Sequence, residues 1–179
     1  MKLLKHFIKE WLLPILITLI LATLINKFVF YNVKVPSSSM YPTIKVGDKI
    51  KVTPIYNKSK LKRGDIIVFH SYELKDRLIK RLIGLPGDEI DIKEDGQVFI
   101  NGSKIEEPYV VYKEELGKQF KVPEDKYLFL GDNRINSFDA RKWENPYIDS
   151  KDIQGKARFI LSPFKRFGKL VIGNDALTH

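Results

Sequence analysis

Three polar segments of this chain contain side chains that could perform chemistry together. Residues 36–43 hold a cluster of three serines, Ser37, Ser38 and Ser39. Residues 80–88 begin with Lys80, which lies inside an apolar run, and residues 131–141 are dense in Asp, Asn, Ser and Arg. A serine hydroxyl becomes a nucleophile when a base takes its proton, and a lysine amine can be that base if burial lowers its pKa from about 10.4.

Each segment also has a purely structural interpretation. The serines could form a polar loop, Lys80 could point from a strand into water, and residues 131–141 could be a loop of Asp–Arg pairs. A histidine-based triad is disfavoured, because His6 precedes the apolar segment, His179 is the last residue, and His70, inside the β-like region, has no obvious partner. The chain has no cysteine, which excludes a thiol nucleophile, disulfides and thiolate zinc sites. No metal site and no bound cofactor are expected.

The elements that must position these segments are strands. After Tyr31 the chain consists of short β-like runs between Gly-Asp, Asp-Gly and Asn-Gly turns. The pattern predicts a mostly β fold, an antiparallel β domain formed by residues 32–88 and 127–179. Residues 89–126 are charged and rich in hairpin signals, and we expect them to form a small inserted β-hairpin cap.

An apolar segment precedes the β region. Residues 7–31 are long enough to cross a hydrocarbon core of about 30 Å as one helix, and the three lysines among residues 1–10 indicate a cytoplasmic N-terminus (residues 1–6). A cleaved signal peptide is the rival interpretation, but no small-x-small site follows the run closely. A buried core helix is disfavoured because the run has no polar stripe. We predict a single-pass anchor in the cell membrane with an extracytoplasmic β domain.

The chain is basic, with 31 Lys and Arg against 22 Asp and Glu and a formal net charge of +9. Such a charge attracts anionic lipid or nucleic acid. The apolar segment favours plasma membrane lipids, and no nucleic-acid-binding motif supports the other interpretation.

Taken in order, the segments resemble the sequence boxes of the bacterial type I signal peptidases, in particular the small Gram-positive members. The resemblance includes the apolar segment, which the boxes follow, and it runs over nearly the whole chain. The boxes are Ser-Met-x-Pro-Thr at residues 39–43, Arg-Gly-Asp-Ile-Ile-Val-Phe at 63–69, Lys-Arg-x-x-Gly-x-Pro-Gly-Asp at 80–88 and Gly-Asp-Asn-Arg-x-x-Ser-x-Asp-x-Arg at 131–141.

The resemblance implies a membrane-bound serine endopeptidase that cuts exported preproteins after a small-x-small motif. It makes Ser39 the nucleophile and Lys80 the general base, and it assigns the oxyanion to Ser37 Oγ and the Ser39 N–H. It gives supporting roles to four residues: Arg81, Ser137, Asp139 and Arg141. It places five residues at the substrate pockets: Val35, Met40, Ile44, Leu78 and Ile79.

One departure from the family pattern is visible, at Ala140, where the family often has serine. It spares every residue with an implied role. Two other function classes remain open: a catalytically silent assembly factor or chaperone for surface proteins, and a self-cleaving repressor with Ser-Lys chemistry. The implied partners are signal peptides, membrane lipids and the secretion machinery.

Overall fold

The computed structural model describes residue 6 and residues 8–170, and the chain divides into two compact units between Tyr31 and Asn32. The first unit contains a π-helical turn, Ile8–Leu12, followed by helix α1, Leu13–Phe28. Among the described residues, no helix is both long enough and apolar enough to cross a membrane. The membrane anchor at residues 7–31 therefore stays a prediction.

The rest of the described chain is built from strands and short 3₁₀ helices. The 3₁₀ helices are Lys58–Lys60, Ser150–Asp152 and Phe164–Arg166. The strands are β1 (Tyr31–Lys34), β2 (Lys49–Pro54), β3 (Ile66–Ser71), β4 (Asp76–Gly84), β5 (Glu89–Ile92), β6 (Val98–Ile100), β7 (Ser103–Lys104), β8 (Lys118–Lys121), β9 (Lys126–Leu130), β10 (Tyr147–Asp149), β11 (Ile153–Ser162) and β12 (Gly168–Lys169).

The strands form two sheets. The larger has the order β1-β2-β11-β3-β4-β9-β10, with β12 added to β11, and the smaller has the order β7-β6-β5-β8. The registered strand pairs of both sheets are antiparallel. The predicted mostly antiparallel β fold is confirmed.

The smaller sheet lies within the segment expected to form the cap. Asn101 and Gly102 have φ values of 51° and 79°, as the two central residues of a type I′ turn require, and they join β6 to β7. The limits of a cap at residues 89–126, like the other domain boundaries, stay a prediction.

One hydrophobic core joins the two sheets. It includes Phe69, Leu82 and Phe129 from the larger sheet and Ile90 and Phe120 from the smaller one. The sheets approach closely at Gly84, where an added Cβ would lie 2.5 Å from Ile90 Cδ1. A side chain at this position would push the sheets apart.

This architecture positions two of the three polar segments. Lys80 and Arg81 are in the middle of β4, where Lys80 pairs with Ile67 of β3 and Arg81 pairs with Leu130 of β9. Strand β9 ends at Leu130, so residues 131–141 leave the sheet beside Arg81. The sheet thus brings the second and third segments together.

Candidate active site

The serine loop folds into tight turns and is held by the third polar segment. The backbone N–H of Asn133 donates to the Ser39 carbonyl at 3.0 Å, and Asn133 Nδ2 donates to the Ser38 carbonyl at 3.3 Å. Ser39 is only 5% exposed, and its Oγ lies 3.3 Å from the Oγ of Ser37. Two hydroxyls that the resemblance assigns to nucleophile and oxyanion support are therefore neighbours.

Lys80 points into the protein. It is 4% exposed, and its amine forms neither an ion pair nor a hydrogen bond with any described residue. Burial is the largest effect on the pKa of Lys80 and lowers it, Asp139 and Asp132 raise it, and the Arg141 charge lowers it; together they bring the pKa to about 8. The interpretation of Lys80 as a solvent-facing lysine is wrong, because its side chain enters the core.

A buried ion pair links the Lys80 strand to the serine loop. Arg81 binds Asp132 through both carboxylate oxygens, with Nε–Oδ1 at 2.7 Å and Nη2–Oδ2 at 2.6 Å. Thr43, four residues after Ser39, donates its hydroxyl to Asp132 Oδ2 at 2.5 Å. Arg81 also stacks on the Tyr109 ring, with 3.7 Å between its Cζ and the ring centroid. Asp132 therefore fixes strand β4 and the serine loop to one point.

A second buried pair, Asp139 with Arg141, shapes the third segment. Arg141 Nε–Oδ1 is 2.8 Å and Nη2–Oδ2 is 2.9 Å, and the Gly131 N–H donates to Asp139 Oδ2 at 2.9 Å. Burial alone would raise the pKa of Asp139, but the hydrogen bond and charge of Arg141 outweigh it and hold that pKa below its ordinary value. Asp139 is thus a fixed negative charge facing Lys80.

Ser137 is almost fully buried beside this pair. Its hydroxyl is near enough to influence the Asp139 carboxylate, yet it makes no hydrogen bond of ordinary geometry with the described residues. An unpartnered buried hydroxyl is unusual, because desolvating one costs about 1–3 kcal/mol. Its presence inside the polar cluster is typical of a functional group.

Gly131 allows the segments to meet. An added Cβ at this position would lie 2.5 Å from the Ser39 carbonyl oxygen and 2.5 Å from Ser137 Cβ. Such distances are too short for non-bonded atoms, so any side chain here would separate the two serines.

A groove of about 470 Å³ borders the serine loop and β4. Its lining residues are Asn32, Val33, Lys34, Pro36, Asp76, Arg77, Leu78 and Ile79. Strand β1 is at the end of the sheet, and β4 pairs with β9 only from Arg81 onward. Leu78 and Ile79 therefore pair with β3 on one side and with no described strand on the other. An extended peptide could therefore bind in the groove as an additional strand beside these open strand edges.

The residues predicted to line substrate pockets fall into two groups. Leu78 and Ile79 line the groove. Val35, Met40 and Ile44 are buried, with exposures of 1%, 0% and 0%.

Comparisons with known proteins show which family the chain is similar to. The family model described as signal peptidase, peptidase S26, matches residues 8–162. The chain belongs to this family. Signal peptidase I P of Bacillus subtilis subsp. natto is 38% identical over 177 residues, which cover 92% of this chain and 94% of the relative. Signal peptidase IB of Staphylococcus aureus strain COL is 33% identical, with 91% and 94% covered.

A solved signal peptidase I from Enterococcus faecalis V583 is 32% identical, covering 54% of this chain and 96% of that one, with a TM-score of 0.47. Within the signal peptidase family, the roles assigned above to individual residues of this chain remain predictions.

Sequence reasoning missed several residues that hold the site together. Asp132, Asn133 and Arg134 were visible in the third segment but had no assigned role. Arg134 is buried, donates from Nε to the Gly131 carbonyl at 3.0 Å and binds Glu107 at 2.6 Å. Glu107 carries no signal in the sequence, because only the folded chain places it beside Arg134.

Proposed function

We propose that this chain is a serine endopeptidase that removes the signal peptides of exported preproteins, with Ser39 as nucleophile and Lys80 as general base. The observation that carries the assignment is the buried Lys80 amine, whose pKa is about 8 and which no acidic side chain neutralises directly. About a tenth of such an amine is neutral at pH 7, far more than for an exposed lysine. The membership in the signal peptidase family supplies the substrate class.

The substrate would bind as an extended strand in the groove between β1 and β4. Residues 32–34, 36 and 76–79 line this groove, and Ser39 and Lys80 follow them along their respective chain segments. Main-chain hydrogen bonds to the open edges would set the register of the peptide. Leu78 and Ile79 directly precede Lys80 in β4 and present aliphatic surface to the groove, which suits the small side chains of a small-x-small motif.

The reaction begins with attack of Ser39 Oγ on the scissile carbonyl carbon while neutral Lys80 takes the hydroxyl proton. The carbonyl oxygen becomes an oxyanion, which the Ser37 hydroxyl and the Ser39 N–H would stabilise; the 3.3 Å between the two hydroxyls supports this placement. Loss of one such donor typically lowers the rate about 10²–10³-fold.

The intermediate collapses when protonated Lys80 gives its proton to the departing amide nitrogen. The C–N bond breaks, the mature protein leaves with a free amine, and the signal peptide stays as an ester on Ser39. Lys80, neutral again, then activates a water that hydrolyses this ester. Ser137 would orient the amine through its otherwise unpartnered hydroxyl, and Asp139 would stabilise the transient ammonium.

A membrane anchor formed by residues 7–31 would hold this chemistry at the membrane surface. The large apolar side chains of residues 11–24 are exposed, for example Trp11 at 63% and Leu19 at 60%. Such a surface is unfavourable in water and favourable in lipid. Anchoring would raise the effective concentration of signal peptides near the groove without adding a contact.

The test is cleavage of a preprotein with an Ala-x-Ala site by the full chain in lipid vesicles. Ser39→Ala and Lys80→Ala should abolish cleavage after the second alanine. Ser38→Ala is the matched control and should retain it, because the Ser38 contact with Asn133 uses the main-chain carbonyl. Retained cleavage in Ser39→Ala, or an inert wild type that is folded, would exclude the proposal.

A further inference from the structure

An exposed apolar surface adjoins the nucleophile loop and shares no lining residue with the groove. We call it the exit patch and define it by Tyr41, Val111, Tyr112 and Ile135. Val111, Tyr112 and Ile135 are 49%, 42% and 52% exposed, and Tyr41 is half-buried. None of the four lines the groove beside β1 and β4. Large apolar side chains that stay this exposed in a cluster often mark a binding surface.

The exit patch is fixed to the nucleophile by two independent routes. Tyr41 is two residues beyond Ser39, and its ring meets the Tyr112 ring with centroids 5.8 Å apart. On the other route, Asn133 N–H binds the Ser39 carbonyl, and the next N–H, that of Arg134, binds the Tyr112 carbonyl at 3.0 Å. The position of the exit patch relative to Ser39 is therefore fixed by a ring contact and by main-chain hydrogen bonds.

A polypeptide that is cut in its middle must continue on both sides of the nucleophile. The proposed function assigns the groove to the half that precedes the cut, because the groove is lined by residues that directly precede Ser39 and Lys80 in the chain. The half that follows must leave past Ser39 over surface outside the groove, and the exit patch is an exposed apolar surface of that kind joined to Ser39.

We propose that the exit patch binds the first residues of the mature protein and selects for an apolar or aromatic side chain there. This inference rests on the proposed function. Two residues of chain span at most about 7 Å, so Tyr41 is close to Ser39. An extended substrate advances about 3.4 Å per residue, so the exit patch would face one of the first three positions after the cut. A lipid contact would not require a fixed distance from the scissile bond, whereas a substrate subsite does.

The experiment uses the full chain and preproteins that share one Ala-x-Ala site and differ at the first three mature positions. Each position carries Ala, Phe, Asp or Lys in turn, and kcat/KM is measured in detergent and in vesicles of anionic lipid. Wild type should prefer Phe over Ala at one position by about three- to tenfold, which corresponds to about 0.7–1.4 kcal/mol. Tyr112→Ala should reduce that ratio to about twofold or less, and Tyr112→Phe, which keeps the ring, should retain it.

A charge introduced into the exit patch provides a second readout. Ile135→Asp should shift the preference at the same position toward Lys. Phe164, 88% exposed and outside the exit patch, is the matched control, and Phe164→Ala should leave the profile unchanged.

A flat wild-type profile, or a Phe preference that Tyr112→Ala leaves intact, overturns the inference while leaving the proposed function in place. If Tyr112→Ala lowers kcat/KM equally for all substrates in vesicles but not in detergent, the exit patch contacts lipid and the inference is overturned. If wild type cuts none of the Ala-x-Ala substrates, the proposed function is excluded, and so is this inference, which depends on it.

Discussion

Replacing Lys80 by methionine should abolish activity and stabilise the fold at pH 7. Methionine has a similar unbranched shape, but it carries no charge into the core. In the folded state burial lowers the pKa of Lys80 from 10.5 to about 8. Each tenfold change in proton affinity is worth about 1.4 kcal/mol, so keeping this lysine charged in the folded state costs about 3 kcal/mol at neutral pH.

The stability gained by Lys80→Met should decrease as the pH rises. Below pH 8 the lysine is protonated in both the folded and the unfolded chain, so the full cost is present. Between pH 8 and 10.5 the folded chain releases the proton while the unfolded chain keeps it, so wild type gains stability as the pH rises. The advantage of Lys80→Met should therefore shrink across this interval and vanish near its upper end.

The assay is urea unfolding of the full chain in detergent at pH 7, 8, 9 and 10, with wild type and variant compared at each pH. Lys49→Met, at an exposed lysine of β2, is the control and should show no such pH-dependent gain. The reasoning is refuted if Lys80→Met is less stable than wild type at pH 7, or if its gain in unfolding free energy does not change with pH. Either result would mean that desolvation of the Lys80 ammonium does not destabilise the folded chain.

Three further outcomes follow from the site. The kcat/KM of wild type should rise with pH and level off above about 8 as Lys80 loses its proton, and a profile that is flat across pH 7–9 would contradict Lys80 as the base. Gly131→Ala should lower the cleavage rate at least about 100-fold, because its Cβ would displace the carbonyl of Ser39. Gly168→Ala is the control and should cleave like wild type, because nothing lies within 4 Å of the added Cβ. Equal activity of the two variants would argue against the close approach at Gly131. Arg81→Met should lower the free energy of unfolding by about 3–5 kcal/mol, measured in urea at pH 7, because it leaves Asp132 buried and unpaired; a loss below about 1 kcal/mol would mean that the carboxylate finds water.

The strand content was readable from local sequence. Alternating and apolar runs bounded by Gly-Asp and Asn-Gly turns predicted strands that the structure has as β2, β3, β5, β6 and β9. These signals are local, because turn residues with positive φ and strand-forming side chains act over a few neighbours. The motif order also identified the family before any geometry was available.

The helical segment was read from its composition, and the structure gives α1 a shorter extent than residues 7–31. Apolar composition predicts a preference for lipid, but it does not fix where a helix starts and ends. Those ends depend on capping and on local backbone geometry, as the π-helical turn at Ile8–Leu12 illustrates.

The sequence by itself determined which residues were available for chemistry: three serines, one lysine in an apolar run, and a loop of Asp, Asn and Arg. Only the tertiary structure decided that Lys80 points inward and holds a pKa of about 8. The same is true of Glu107 beside Arg134 and of the open strand edges along the groove. The reason is that burial, charge proximity and strand pairing arise between residues far apart in the chain, such as Arg81 and Asp132. The local sequence pattern does not indicate which of these residues will come into contact.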